Sequence, residues 1–94
     1  MDLEALRKEI DAVDNQIIEL FAKRMDVAAN IAQYKKEVGK AVFDPAREQE
    51  KLEVIAAMSR GDIKDHTVTL FKKIFELSRL YQTALLENNA EVIE

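Results

Sequence analysis

The chain has 94 residues, of which 48% are hydrophobic and 34% are charged, with a formal net charge of −4. This length has room for a single domain (residues 1–94), and the acidic balance disfavours nucleic-acid binding. Without Cys it forms neither a disulfide nor a thiolate metal site, and its two Gly and one Pro are too few for a turn-rich β fold. No stretch approaches the roughly 18 apolar residues of a membrane span, and the acidic N-terminus is unlike a signal peptide, so we expect a soluble, cytoplasmic, all-helical protein.

The first 38 residues predict one very long helix, over about residues 3–38 and ended by Gly39. They contain no Gly or Pro, and apolar side chains recur at steps of three and four, the spacing of a heptad seam. The seam consists of Leu3, Leu6, Ile10, Val13, Ile17, Leu20, Val27, Ile31, Tyr34 and Val38. Such a helix would be roughly 50 Å long, whereas a compact chain of this size has a radius of gyration of about 12 Å. We therefore expect a second copy to cover the seam in a symmetric homodimer.

Two shorter helices are predicted to follow. Asp44 and Pro45 are typical of a helix start, with Asp as the N-cap and Pro at the first helical position. This second helix is predicted over about residues 44–60 and the third over about residues 64–88. The polar residues 88–94 are expected to fray.

Two cations interrupt the apolar pattern of the first helix. Arg24 lies in the seam, and Lys35 lies on the same face about 16 Å further along. Ala28 and Ala32 lie between them, so a groove floored by alanine could hold a small dianion between its two cationic ends. Alternatively, Arg24 pairs with a carboxylate or extends to the surface, and Lys35 is a solvated lysine.

Polar residues also lie on the inward faces of the other helices. Ser78 and Gln82 are four residues apart beside the apolar stripe of the third helix, and Glu48 lies on the inward face of the second. Alternatively, the first two are an exposed flank or make an interhelical hydrogen bond, and Glu48 is a charge at a helix N-terminus. The sequence has no metal-ligand spacing, no phosphate-binding glycine loop and no triad for Ser78, so we expect no metal and no cofactor.

Parts of all three predicted helices resemble a known family. The runs Leu6-Arg7-Lys8-Glu9-Ile10-Asp11-Ala12-Val13-Asp14 and Leu20-Phe21-Ala22-Lys23-Arg24 resemble the first helix of the all-helical class of chorismate mutase. The segment Asp44-Pro45-Ala46-Arg47-Glu48 is similar to the start of that family's second helix, and the Ser78 and Gln82 pair to its third. The resemblance covers essentially the whole chain. It implies an intertwined homodimer of three-helix chains that rearranges chorismate to prephenate, without a cofactor, on the route to phenylalanine and tyrosine.

The resemblance also implies a substrate site made of residues that are all present here: Arg7, Arg24, Lys35, Asp44, Arg47, Glu48, Ser78 and Gln82. Its three arginines would bind the two carboxylates of chorismate. Lys35 and Gln82 would donate hydrogen bonds to the ether oxygen of the breaking bond. Glu48 would accept one from the ring hydroxyl, with Lys35 nearby. The residues expected to act in catalysis are Lys35, Gln82, Arg24 and Glu48, while Asp44 and Ser78 complete the lining.

Helix geometry supports one part of this expectation independently. Arg7 and Arg24 are separated by about 25 Å along the first helix and about 100° around it, so one small ligand cannot contact both in the same chain. It can do so if two long helices run antiparallel and Arg7 of one chain reaches the groove of the other. We therefore expect two sites per dimer, each shared between the subunits.

Two other functions are compatible with parts of the sequence. An isochorismate-pyruvate lyase would share the fold and most of the pocket, but the Glu48 carboxylate suits a hydroxyl where chorismate carries it. A non-catalytic helical dimerisation module would explain the seam but not Arg24 within it. The chain is compatible with a free-standing enzyme and with fusion to, or association with, another aromatic-pathway enzyme.

Overall fold

The computed structural model describes the backbone of residues 1–93 and the side chains of residues 1–87, and within this range the chain forms three α-helices and no strand. Helix α1 spans Leu3–Glu37, α2 spans Pro45–Met58 and α3 spans Lys64–Ile93, preceded by a 3-10 turn at Gly61–Ile63. The all-α class with one very long first helix is as the sequence predicts. Helix α3 continues to Ile93, past its predicted end at residue 88, so the backbone is helical over residues 88–93 where the sequence predicts fraying, and residue 94 lies outside the described residues.

Helix α1 ends at a glycine in the left-handed region of backbone conformation. Gly39 has a φ of 73°. Its N–H donates to the Lys36 carbonyl at 3.3 Å, and the N–H of Lys40 donates to the Lys35 carbonyl at 2.8 Å. These two bonds form a Schellman motif. The chain then turns so that the Val42 carbonyl accepts a hydrogen bond of 2.9 Å from the Lys35 ammonium, which ties the end of α1 to the connection leading into α2.

Helix α2 begins as the sequence predicts. Asp44 is the N-cap and its carboxylate accepts a 3.0 Å hydrogen bond from the backbone N–H of Arg47, while Pro45 occupies the first turn. Arg47 and Glu48 therefore project from the capped first turn, where the cap holds the backbone.

Helix α3 packs against both α1 and α2. The buried apolar side chains of the described residues are few: Ala28, Ala32, Ile55 and Phe75. The two alanines let α1 and α3 approach closely. Phe71 meets Phe75 edge to face, with 6.2 Å between the ring centroids. The core of one chain is thus small for the surface that it carries.

The apolar side chains of the α1 seam are not covered by α3. Helix α1 packs on α3 through the neighbouring face, and every apolar side chain of the seam is exposed, from 40% at Leu6 to 65% at Leu20. The radius of gyration is 17.0 Å and the longest extent is 59 Å, compared with about 12 Å expected for the radius of gyration of a compact chain of this length. A single chain therefore leaves exposed apolar side chains along the length of α1, interrupted by Arg24, without a helix of the same chain to cover them.

None of the helices that the structure describes combines the length and the apolar character that crossing a bilayer requires.

Candidate active site

A cleft of about 300 Å³ lies between the second half of α1, the start of α2 and the middle of α3. Of the residues predicted for the site, all except Arg7 line it: Arg24, Lys35, Asp44, Arg47, Glu48, Ser78 and Gln82. Ala28 also lines the cleft as predicted. Ala32 does not, because it is buried in the packing between helices with only 1% of its surface exposed. The groove floor is therefore shorter than the alanine spacing predicts. The volume is at the lower end for small-molecule pockets.

Arg24 contacts neutral groups in the cleft. Its Nη1 donates to the Ser78 hydroxyl at 2.8 Å, and its guanidinium lies 5.4 Å from the centre of the Phe75 ring. Ser78 in turn donates to the Ile74 carbonyl at 2.8 Å, so the hydroxyl is held in place. The sequence left open a carboxylate partner for Arg24, but the partners in the structure are a hydroxyl and an aromatic ring. Because both contacts are neutral, the positive charge of Arg24 remains available to an anion.

Two nitrogen donors are held by backbone carbonyls. Gln82 is buried and its Nε2 donates to the Ala28 carbonyl at 2.8 Å, which is the interhelical hydrogen bond that the sequence left as an alternative. The Lys35 ammonium donates to the Val42 carbonyl. An amide nitrogen carries two N–H groups and an ammonium carries three. Each residue is therefore anchored by one bond and has further N–H groups to offer a ligand.

Glu48 is paired with Arg79, a residue that the sequence reasoning missed. Arg79 Nη1 lies 2.5 Å and 2.7 Å from the two carboxylate oxygens of Glu48, and the guanidinium lies 4.7 Å from the centre of the Phe43 ring. One signal could have identified it. Arg79 is three residues before Gln82 and so shares a helix face with it, and an inward-facing Glu48 requires a cationic partner.

The charged side chains of the cleft are predominantly cationic. Five of them are cations and two are acids: Arg24, Lys35, Arg47, Lys51 and Arg79 against Asp44 and Glu48. Both acids already have partners, since Asp44 caps α2 and Glu48 accepts from Arg79. The cleft therefore suits an anionic ligand, although the chain has a net charge of −4. Among the described residues, no group of three His, Cys, Asp or Glu side chains could hold a metal ion.

Arg7 lies apart from the cleft. It is exposed near the start of α1, about 25 Å along the helix from Arg24 at 1.5 Å per residue. A ligand in the cleft is thus out of reach of Arg7 of the same chain.

A second depression of about 450 Å³ lies on the other side of Arg79, with Phe43 and Glu76 in its wall. Lys73 donates a hydrogen bond of 2.9 Å to Glu76, and this bond together with the lysine charge holds the pKa of the Glu76 carboxyl below its ordinary value. Arg79 therefore lines both the cationic cleft and this second depression, in which the other charged side chains, Glu76 and Glu87, are acidic.

The fold and the site define a family of helical enzymes. Residues 6–83 match the family model described as chorismate mutase type II. The chain belongs to this family, because the match extends over most of its length.

Individual relatives agree with this assignment. The chain is 30% identical over 89 residues to a chorismate mutase of Methanocaldococcus jannaschii, which covers 95% of this chain and 88% of that protein. It is 37% identical over 89 residues to a bifunctional chorismate mutase/prephenate dehydratase of Enterobacter agglomerans, covering 93% of this chain but only 23% of that relative. A crystal structure of Helicobacter pylori chorismate mutase in complex with prephenate superposes with a TM-score of 0.82 and 34% identity, covering 90% of this chain and 93% of that one.

Proposed function

We propose that the cleft binds chorismate and rearranges it to prephenate. The observation that carries this proposal is a cationic cleft, lined by Arg24, Lys35 and Gln82 among others, in a chain of the chorismate mutase family. The similar Helicobacter pylori enzyme was crystallised with prephenate, a dicarboxylate that matches the charge of this cleft. No metal, nucleophile or base is required, because the reaction is an intramolecular pericyclic rearrangement without a covalent intermediate.

The arginines bind the two carboxylates of the substrate. Arg24 and Arg47 line the cleft from α1 and α2, and a guanidinium binds a carboxylate through two parallel hydrogen bonds. With the carboxylate of the ring and the carboxylate of the enolpyruvyl arm both bound, the arm lies over the ring in the conformer that reacts. Arg7 of the partner subunit completes the set.

Lys35 and Gln82 stabilise the negative charge that develops on the ether oxygen. Each is anchored to a backbone carbonyl, at Val42 and Ala28, so neither must reorganise when the charge appears. Preorganised donors of this kind contribute about 3 to 4 kcal/mol each to the transition state. They are the groups from which most of the rate enhancement is expected.

Glu48 accepts a hydrogen bond from the ring hydroxyl of chorismate. It lines the cleft, and its two oxygens have further acceptor sites beyond the bonds to Arg79. A carboxylate at this position favours the mutase over the isochorismate-pyruvate lyase.

The working unit that we propose is an antiparallel homodimer. The exposed seam of α1 provides the surface that a second copy would cover, and a symmetric dimer covers the same strip on both chains. In that arrangement Arg7 of each chain reaches the cleft of the other. The bifunctional relative makes fusion or association with another aromatic-pathway enzyme compatible with this chain.

The direct test of the activity is incubation of the protein with chorismate and, separately, with isochorismate. We expect chorismate to be consumed with formation of prephenate. Release of salicylate and pyruvate from isochorismate, without consumption of chorismate, would show a lyase instead. If neither compound is consumed at micromolar protein, the remaining interpretation is a non-catalytic dimerisation module.

A further inference from the structure

We infer that Arg79 is a positioning residue, which orients the Glu48 carboxylate so that it accepts the substrate hydroxyl and does not neutralise the cations of the cleft. This inference rests on the proposed function, because Glu48 acts on chorismate only through that hydroxyl. Arg79 itself contacts Glu48 rather than the reacting atoms.

The contact between the two residues restrains the direction in which the carboxylate points. A single nitrogen, Nη1 of Arg79, donates to both oxygens of Glu48 across the boundary between α3 and α2. The guanidinium also stacks on the Phe43 ring, so the arginine is held by a second contact. A carboxylate has about four lone-pair sites, so the sites that face away from Arg79 remain open to an incoming O–H group.

This ion pair differs from the others in the described part of the chain. The side chains of Arg79 and Glu48 are 32% and 25% exposed, whereas those of Arg60 and Asp62 are 73% and 66% exposed. Exposed pairs contribute little to stability. The shielded pair lies in the wall of the cleft, where its geometry bears on the ligand.

Loss of Arg79 would release Glu48 among other cations. Arg47 precedes Glu48 in α2, Lys51 follows it by one turn, and all three line the cleft. A released Glu48 could pair with Lys51, which lies three residues further along the same helix, and the positive charge available to the carboxylates of chorismate would then be reduced. Arg79 therefore keeps Glu48 free to accept the hydroxyl of the substrate, and it keeps the cations of the cleft free to bind the carboxylates.

The test is a double-mutant cycle on kcat and KM with chorismate, using Arg79→Met, Glu48→Gln and the double variant. We expect Arg79→Met to lower kcat/KM by about tenfold or more, since small misplacements of catalytic groups are costly. In the Glu48→Gln background the same substitution should have a much smaller effect, because Arg79 acts through Glu48. Arg60→Met removes an arginine from an exposed pair and should leave both constants unchanged.

The outcomes separate the inference from the proposed function. If the wild-type protein does not convert chorismate, both are overturned. If it does, the inference alone is overturned by wild-type kinetics in Arg79→Met, or by losses that multiply in the double variant. A purely structural role would lower stability and leave the kcat of the folded protein unchanged. If the methionine variant does not fold, Arg79→Lys keeps the charge without the planar guanidinium, and the same cycle decides.

Discussion

At the scale of single residues, the cleft combines cations with donors that neutral groups hold in place. Arg24 is held by a hydroxyl and an aromatic ring, and Lys35 and Gln82 by backbone carbonyls. None of these contacts cancels a charge, so the positive field in the cleft is preserved for a dianion. Donors that are in place before the substrate binds lower the activation barrier, because they need not reorganise in the transition state.

We expect Gln82→Glu to be active only towards acid pH. A glutamate can donate a hydrogen bond to the ether oxygen only in its protonated form, so kcat/KM should be at least about a hundredfold below wild type at neutral pH and should rise as the pH falls. Measurement of kcat/KM from acid to neutral pH tests this. Gln82→Ala is the control, because it cannot donate and should stay low throughout.

A flat pH profile in Gln82→Glu would contradict a contact between residue 82 and the ether oxygen. Because the Ala28 carbonyl repels an ionised carboxylate at this position, the helical content of the variant is checked by circular dichroism at each pH.

Much of the site can be predicted from the sequence at this scale, because Arg24, Ser78 and Gln82 interrupt apolar patterns. The structure brings these residues together with Lys35 in one cleft. Arg79 cannot be predicted in the same way. Local spacing places Arg79 on the same helix face as Gln82, but its partner Glu48 lies on a different helix, and which cation reaches Glu48 depends on how the helices pack.

At the scale of elements, caps and turns determine where the functional side chains lie. The Asp44 cap starts α2 directly before Arg47 and Glu48, and the Gly39 turn brings the Val42 carbonyl to Lys35. Both helix boundaries follow from local chemistry, and so they can be predicted from Asp-Pro and from a lone glycine. The face of α1 that meets α3 cannot, because the heptad pattern marks the most apolar strip and the chain packs through the alanines beside it.

We expect Gly39→Ala to lower the free energy of unfolding by about 1 kcal/mol, because a Cβ is strained at positive φ. Urea denaturation at equal protein concentration measures this difference. Gly61→Ala is the matched control: a Cβ there meets no atom within 4 Å, and its φ lies outside the left-handed region. Equal effects of the two substitutions would contradict the role assigned to the Gly39 turn.

At the scale of the whole molecule, two features of the single chain support the proposed dimer. The apolar seam of α1 is exposed in a molecule whose longest extent is 59 Å, and the cleft lacks the one predicted residue, Arg7, that lies at the other end of α1. An antiparallel partner would remedy both, since it covers the strip and delivers its own Arg7 to the cleft. The sequence predicts this requirement from helix length alone, because no 94-residue globule could bury so long a helix.

The central claim is that chorismate is rearranged in a site that the partner's Arg7 completes, and subunit mixing tests it most directly. Arg7→Ala and Gln82→Ala proteins, each nearly inactive and each a dimer by solution mass, are unfolded together and refolded. Random exchange makes about half of the dimers mixed, and each mixed dimer has one intact site of its two. We predict recovery of about a quarter of the wild-type chorismate mutase activity per chain. Activity no greater than that of the two variants refolded separately would contradict the shared site.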